Sequence, residues 1–248
     1  MLDHGRELTT TATSLRVVDV INRLDGARMS EIAAELDLAN STVHGHLTTL
    51  RNHELLVKEG NEFHLGIKFF HLGEQARQRK SEYGIVRRHA HELSNQLNEE
   101  VAFAITEHGR SVIIFDENND AAKEGFQVGR YFYMHNSASG KAMLAEWSRE
   151  RVDRVIDRWG LPEETENTIG SREELYAELE RTRERGYAIN RQEALEGLMA
   201  IGTAITNPDG SVLGSLDVSG PPYRLSEEQL VPELRETVSR IETEIASQ

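Results

Sequence analysis

Small polar side chains recur between residues 41 and 52 at the spacing of one helix face. Hydroxyl and amide groups on a helix can hydrogen-bond to phosphates and base edges in a DNA major groove. The face contains Ser41, Thr42, Gly45, Thr48, Thr49 and Asn52. Ordinary solvated helices carry the same residue types, so the face alone leaves open both DNA binding and a scaffold role.

Two short helices are predicted to position this face. Val43, Leu47 and Leu50 follow the i, i+4, i+7 spacing of a core-facing helix side, and Asn40 is predicted to cap that helix. Ser30 is predicted to cap an earlier helix, with Glu31 in its first turn. A tight turn between the two helices indicates a helix-turn-helix.

The next residues predict a hairpin. Strands are expected at 55–58 and 62–65, and Gly60-Asn61 between them is typical of a two-residue turn. With a helix predicted over 14–24, residues from about 10 to 66 form one unit. A helix-turn-helix followed by a hairpin is typical of a winged DNA-binding domain, in which Arg51 and the hairpin tip from Lys58 to Asn61 reach phosphates.

The acidic charge lies mainly outside this unit. Residues 1–80 carry 10 Lys and Arg against 11 Asp and Glu, whereas residues 81–248 carry 18 against 31, and the whole chain has a net charge of −14. A near-neutral head is compatible with phosphate contacts, and an acidic body resists nonspecific binding. Abundant acid is also typical of proteins from a high-salt cytoplasm.

Other classes are disfavoured by composition. No stretch approaches the roughly 18 apolar residues of a membrane span, and the first residues are too polar for a secretory signal. The absence of Cys excludes disulfides and thiolate metal sites. We therefore expect a soluble, cytoplasmic protein without contact to a membrane.

Residues beyond the hairpin predict an α+β domain. A linker helix is expected over 67–79 and a further helix over 82–97, followed by a hairpin with strands at 101–106 and 111–116. Strands are also expected at about 126–128, 187–190, 199–206 and 211–218. Ser171 and Ser226 are predicted helix caps, and Pro232 is predicted to kink or restart the last helix.

The sequence contains no complete catalytic motif. Gly140-Lys141 resembles part of a phosphate loop, but His135 stands where that loop needs Gly, and Ala142 where it needs Ser or Thr. No nucleophile elbow, His-Glu-x-x-His motif or metal-spaced carboxylate cluster is found. We predict a protein that is not an enzyme and needs neither a cofactor nor a metal.

Over nearly its whole length the chain resembles the IclR family of transcriptional regulators. The most specific stretch is His135-Asn-Ser-Ala-Ser-Gly-Lys-Ala142, supported by Ser14–Val20, Ser30–Ala33, Ser41–His44, Arg185–Ala188 and Val218–Pro221. The resemblance implies an N-terminal winged helix-turn-helix (1–66), a linker helix (67–80) and a GAF-like α+β effector-binding domain (81–248). It also implies homodimers, or dimers of dimers, on palindromic double-stranded DNA operators.

The resemblance also implies site residues. Together with the polar face of the second helix and the hairpin tip, the predicted DNA-binding residues are Ser41, Thr42, His44, Gly45, His46, Thr48, Thr49, Arg51, Lys58 and Asn61. For a small-molecule effector, expected to be a metabolite of carbon catabolism, they are Gly129, His135, Ser137, Ser139, Met199, Ile201, Asp217 and Ser219. His135 could instead be a structural histidine, Ser139 only a helix cap, and Gly129 only a backbone turn.

Two positions depart from the family pattern. The family usually has a basic residue where this chain has Asn40, and Arg where it has Gly45. Both changes weaken the expected electrostatic grip on DNA and suggest an altered operator preference. A different class of function, an adaptor that uses the winged domain for protein contact, is the alternative, and it would lack salt-dependent binding to a palindrome.

Overall fold

A computed structural model describes residues 7–117 and 128–247, and the chain divides into two compact units, Met1–Arg79 and Lys80–Gln248. None of the described helices is both long enough and apolar enough to cross a bilayer.

The N-terminal unit contains helices packed on a small antiparallel sheet. Its elements are α1 (Thr9–Arg23), β1 (Ala27–Arg28), α2 (Met29–Leu36), α3 (Asn40–Asn52), β2 (Leu56–Glu59), β3 (Glu62–Leu65) and α4 (Lys68–Arg77). Val43, Leu47 and Leu50 are buried against α1 and α2, as their spacing predicts. The helix-turn-helix and its hairpin are confirmed.

Both helix caps predicted in this unit are wrong. Helix α2 starts at Met29, so Ser30 lies inside it, and the Glu31 carboxylate accepts a 2.7 Å hydrogen bond from the Arg28 backbone N–H instead. Helix α3 starts at Asn40 itself, preceded by Ala39, which has no side chain able to cap. The predicted helices form although neither predicted side-chain cap does, because their apolar faces are buried.

The wing has one strand more than predicted. Glu59 lies opposite Glu62, and Gly60 has a φ of +59° in the turn between them. Strand β1 pairs with the outer side of β3, so the sheet order is β1-β3-β2. Two residues are too few to show a strand pattern in the sequence.

The C-terminal unit is an antiparallel six-stranded sheet with helices on both faces. Its elements are α5 (Glu82–Leu97), β4 (Glu100–Glu107), β5 (Arg110–Glu117), β6 (Tyr131–Tyr133), α6 (Ala138–Ala145), α7 (Arg149–Trp159), α8 (Arg172–Arg185), β7 (Ala188–Arg191), β8 (Met199–Thr206), β9 (Val212–Gly220) and α9 (Glu227–Ala246). The strand order is β6-β5-β4-β9-β8-β7. The α+β class is confirmed.

Several local predictions can be checked in this unit. Ser171 does cap α8, since its Oγ accepts a hydrogen bond from the Glu174 N–H at 3.2 Å. Ser226 precedes α9 without a side-chain cap, and α9 runs through Pro232 as one helix rather than restarting there. The strand predicted at 126–128 lies mostly outside the described residues.

Strand alternation gives the sheet two different faces. One face packs its large apolar residues, among them Phe103, Leu216 and Val218, with apolar residues of α5 and α9. The other faces α6 and carries small residues such as Ala102 and Ala200, packed with Ala138 of that helix. Side chains two residues apart on a regular strand share a face, and the register shift beside Phe103 and Ala104 interrupts this alternation, so that Ile113 and Phe115 lie in different clusters.

Candidate functional site

The polar face of α3 is fully available to a partner. Ser41, Thr42, Gly45, Thr48, Thr49 and Asn52 are all exposed. The Thr49 hydroxyl donates to the Gly45 carbonyl at 2.9 Å, and a side chain added at Gly45 would meet no atom within 4 Å. The face therefore offers hydroxyls and amides on a smooth surface that can approach a groove closely.

Helix α3 and the wing together form one concave surface. A depression of about 430 Å³ lies between them, and its lining includes His44, Thr48, Arg51, Lys58 and Asn61. Helix and wing residues of the predicted DNA-binding set thus meet on one side of the unit.

Arg51 and Lys58 are the cations of this surface that form no ion pair with any described residue. The Lys58 ammonium lies 5.6 Å from the centre of the Phe63 ring. Arg28, which also lines the depression, lies 3.4 Å from the Glu62 carboxylate. Arg51 and Lys58 are therefore the cations best placed for phosphates.

His46 does not belong to this surface, and its predicted contact with DNA is wrong. Its side chain is buried, and its Nδ1 lies 2.8 Å from the Ser14 hydroxyl of α1. The cause is helical geometry, because residue 46 lies three positions after Val43 and so shares its inner side.

In the C-terminal unit, polar side chains collect on the sheet face that meets α6. Ala102 of β4 lies opposite Asp116 of β5 on one side and Asp217 of β9 on the other, while Glu100 lies opposite Ser219. Cross-strand neighbours point to the same side of a sheet. We call this set, Glu100, Asp116, Asp217 and Ser219, the carboxyl face.

Asp217 is the most deeply buried carboxyl of this set. It is 4% exposed, and its Oδ1 accepts a 2.8 Å hydrogen bond from the Ser215 hydroxyl. Ser139 of α6 also hydrogen-bonds to it and lies 3.0 Å from Ser111. Burial raises the pKa of Asp217 to about 7, and the two serine hydroxyls only partly oppose that shift.

A glycine makes room for this carboxyl. Gly202 lies opposite Asp217 on β8, and a Cβ at that position would overlap the Asp217 Oδ1. The Cβ would also approach the Ala138 backbone of α6 to 3.1 Å. Gly202 thus allows both the carboxyl and the helix to lie close to the sheet.

A buried ion pair lies beside α6. The Lys141 ammonium contacts both carboxylate oxygens of Glu193 at 2.5 and 2.7 Å, and the two side chains are 1% and 7% exposed. Burial lowers the pKa of Lys141 and raises that of Glu193, while their mutual attraction opposes both shifts. This pairing gives Lys141 a structural role in place of phosphate binding.

Met199 and Ile201 were predicted to line the effector cavity with Asp217 and Ser219, and this is wrong. Both belong to the core shared with α5 and α9. Ile201 lies opposite Val218, whereas Ala200 and Gly202 lie opposite Ser219 and Asp217. The pairing register turns the even-numbered residues of this part of β8, not the odd ones, toward α6.

Three other residues that were predicted to bind the effector have structural roles. The Ser137 hydroxyl donates to the Tyr133 carbonyl and accepts from the Gly140 N–H, so Ser137, not Ser139, caps α6. His135 is buried with its Nε2 3.2 Å from the Pro162 carbonyl, and burial lowers its pKa to about 4. Gly129 is exposed in a turn with a φ of +87°. Ser139, Asp217 and Ser219 remain together on the α6 side.

The structure adds residues that were not predicted. Glu100 and Asp116 hydrogen-bond to each other, and burial together with the charge of Glu100 raises the pKa of Asp116. A signal for the face was present in Ser215-Leu-Asp-Val-Ser219, where every second residue is polar within an apolar strand. Nothing in the sequence indicated which residues of β4 and β5 lie opposite it.

Comparisons with known proteins agree on one family. Residues 83–246 match the model for the C-terminal domain of the bacterial transcriptional regulator IclR, and residues 12–60 match that for the IclR helix-turn-helix domain. A probable HTH-type transcriptional regulator ArcR of Halobacterium salinarum is 26% identical over 92% of this chain and 89% of its own length. The transcriptional repressor IclR of Escherichia coli is 26% identical over 90% of this chain and 84% of its own length.

Solved structures show the same fold. An IclR homologue from Microbacterium hydrocarbonoxydans complexed with 4-hydroxybenzoate superposes with a TM-score of 0.80 at 22% identity, covering 96% of this chain and 100% of that one.

Proposed function

The chain belongs to the IclR family of bacterial transcriptional regulators, and we propose that a small-molecule effector controls its affinity for an operator. The relatives named above are regulators, so this chain is a transcriptional regulator and not an enzyme.

One observation carries the proposed DNA contact. Thr48, Arg51 and Lys58 line one depression between α3 and the wing. The other α3 hydroxyls, those of Ser41, Thr42 and Thr49, are exposed on the same helix. In the proposed complex α3 lies in the major groove, where Ser41, Thr42, Thr48 and Thr49 reach base edges, and the wing follows a phosphate strand. Because Gly45 has no side chain, α3 can approach the groove closely, and hydrogen bonds and the shape of the DNA supply much of the specificity.

The proposed effector site is the α6 side of the C-terminal sheet. Buried polar groups converge there above a floor of small residues, which is the usual composition of a small-ligand cavity. A family member with bound 4-hydroxybenzoate supports small-molecule binding by this fold. For this chain we propose a small metabolite of carbon catabolism.

Coupling between the two sites is proposed to act through the assembly. A homodimer, or a pair of dimers, would present two copies of α3 to the half-sites of a palindrome. An effector that favours one arrangement of the copies by about 1 to 3 kcal/mol changes operator affinity roughly 5- to 150-fold. The proposed route is α4, the last element of the N-terminal unit, and the residues that follow it in the chain.

Genome-wide immunoprecipitation of the tagged protein on several carbon sources tests this proposal. We expect sharp promoter peaks for the wild type that vanish in the Thr42→Ala, Thr49→Ala double variant. Thr243→Ala is the matched control, because Thr243 is an exposed helix residue whose hydroxyl donates to the carbonyl four residues earlier at 2.8 Å, as that of Thr49 does.

Operator binding should also weaken steeply with salt, since cations that contact phosphates displace counterions. Absence of promoter peaks under every condition, together with salt-independent behaviour, would support the adaptor role instead. Peaks that persist in the double variant would show that DNA is bound by another surface.

A further inference from the structure

We propose that the effector carries an organic cation, an ammonium or guanidinium group, which binds against the carboxyl face of the C-terminal sheet. This inference rests on the proposed function, because it specifies the chemistry of the ligand for the same site.

Sheet geometry brings the carboxyl groups together. Asp116 and Asp217 flank Ala102 on neighbouring strands, and Glu100 follows two residues away on the same side of β4. Directly opposite residues in an antiparallel sheet have Cβ atoms about 5 Å apart, so each aspartate lies about 5 Å from Ala102 and the two aspartates lie about 10 Å from each other. Between the two aspartates Ala102 contributes only a methyl group, which packs with Ala138 of α6.

Unpartnered polar atoms provide a second, independent observation. Ser219 lies opposite Glu100 with no exposed surface, and among the described residues its Oγ has no hydrogen-bond partner. The buried Asp116 Oδ1 likewise has no hydrogen-bond partner among the described residues. A buried polar group without a partner costs about 1 to 3 kcal/mol, and a ligand that donates hydrogen bonds would remove this cost.

The surrounding charges favour a cation over an anion. On α6 the charged side chain is Lys141, and both its close contacts are to the Glu193 carboxylate, so its charge is already balanced. Glu117, next to Asp116, contacts Arg87 and His91, and His135 beside α6 is neutral at pH 7. Among the described residues, Asp217 has only serine hydroxyls as hydrogen-bond partners.

The direction of proton exchange follows from burial. Because Asp217 has a pKa near 7 in the free protein, part of the population is protonated at neutral pH. A bound cation favours the carboxylate, so binding releases a proton. A carboxylate ligand would instead favour the protonated form and take up a proton.

Titration calorimetry on the full-length protein tests the inference. The probes are 1,4-diaminobutane and succinate, four-carbon chains with opposite charge, and agmatine, which adds a guanidinium group. At pH 7 and constant ionic strength, we expect both amines to bind and raise the melting temperature, with proton release seen as a dependence on buffer ionisation enthalpy. Succinate should do neither.

Variants identify the location of binding. Asp217→Asn and Asp116→Asn should each weaken amine binding at least tenfold, whereas Asp209→Asn, which removes one exposed carboxylate from the β8–β9 turn, should leave it unchanged. Circular dichroism confirms folding of each variant. The inference is overturned if none of the amines binds, if succinate binds in their place, or if amine binding is equal in Asp217→Asn.

Measuring operator affinity in the presence of each probe separates this inference from the proposed function. Succinate binding that changes operator affinity would sustain effector control and overturn the cation. Amine binding that depends on Asp217 but leaves operator affinity unchanged would sustain the cation site and overturn effector control.

Discussion

Small hydroxyl side chains characterise both candidate sites, but α3 exposes them and the C-terminal sheet buries them. Thr42, Thr48 and Thr49 face solvent, whereas Ser139, Ser215 and Ser219 are at most 4% exposed. An exposed hydroxyl exchanges water for a partner and affects folding little. A buried hydroxyl must find a partner in the fold or in a ligand, so there binding and stability are linked.

Among the buried groups, breaking the Lys141–Glu193 ion pair should cause the largest change in stability. Lys141→Met leaves the Glu193 carboxylate buried without its cation, which we expect to lower the free energy of unfolding by about 3 to 5 kcal/mol. Urea denaturation measures the change.

The double variant Lys141→Met, Glu193→Leu is the matched control, and it should regain most of the loss because neither charge then remains. Equal losses in the single and double variants would show that packing, not charge, dominates at this position.

Asp217→Asn should instead raise the free energy of unfolding. From about pH 4 to pH 7 the unfolded chain has released a proton that folded Asp217 retains, so the wild type loses stability as pH rises through this window. The variant lacks that loss, and we expect its free energy of unfolding to exceed that of the wild type by roughly 1 to 3 kcal/mol at pH 8.

Denaturation of both proteins at pH 5 and pH 8 checks this sign. The difference should be smaller at pH 5. A constant difference across the range would mean that the Asp217 carboxyl titrates alike in the folded and unfolded protein.

On the exposed side, Lys58→Gln should leave folding unchanged and weaken DNA binding. We expect a loss of about 1 kcal/mol in affinity, and a slope of log affinity against log salt that is smaller by about 1. Fluorescence anisotropy with an operator fragment measures both quantities.

Arg23→Gln is the control for Lys58→Gln, since Arg23 lies in the same unit but is held by Glu35 at 2.5 Å. A similar fall in slope for both variants would indicate a general charge effect, not a phosphate contact by the wing.

The smallest effect is predicted for Gly45→Ala. The added methyl meets open space on an exposed helix, so it should stabilise the N-terminal unit by about 0.5 to 1 kcal/mol. It should also change operator affinity, because it lies on the face proposed to enter the groove.

Gly84→Ala in α5, where a Cβ likewise meets nothing within 4 Å, should give a similar gain in stability with no change in operator affinity. If Gly45→Ala also left operator affinity unaltered, α3 would not approach DNA at that position.

Periodicity within single elements could be predicted from the sequence, and pairing between elements could not. The inward side of α3 and the turn at Gly60 follow from local spacing. His46 could have been assigned correctly by the same rule, as it lies three residues after Val43. Met199 and Ile201 could not, because the side of β8 that meets α6 depends on its register with β9, which local residues do not encode.

The position of β4 in the sheet has a consequence for synthesis. Ala102 lies opposite Asp217, a partner that follows 115 residues later in the chain. At the usual 5 to 20 residues per second, a ribosome needs on the order of 5 to 20 seconds to complete that interval. The contacts within the helix-turn-helix and its hairpin span far shorter separations, so the N-terminal unit should fold while the sheet still lacks its central neighbour. During that interval the nascent protein exposes an unpaired edge of β4, and we expect the need for chaperones to be concentrated there.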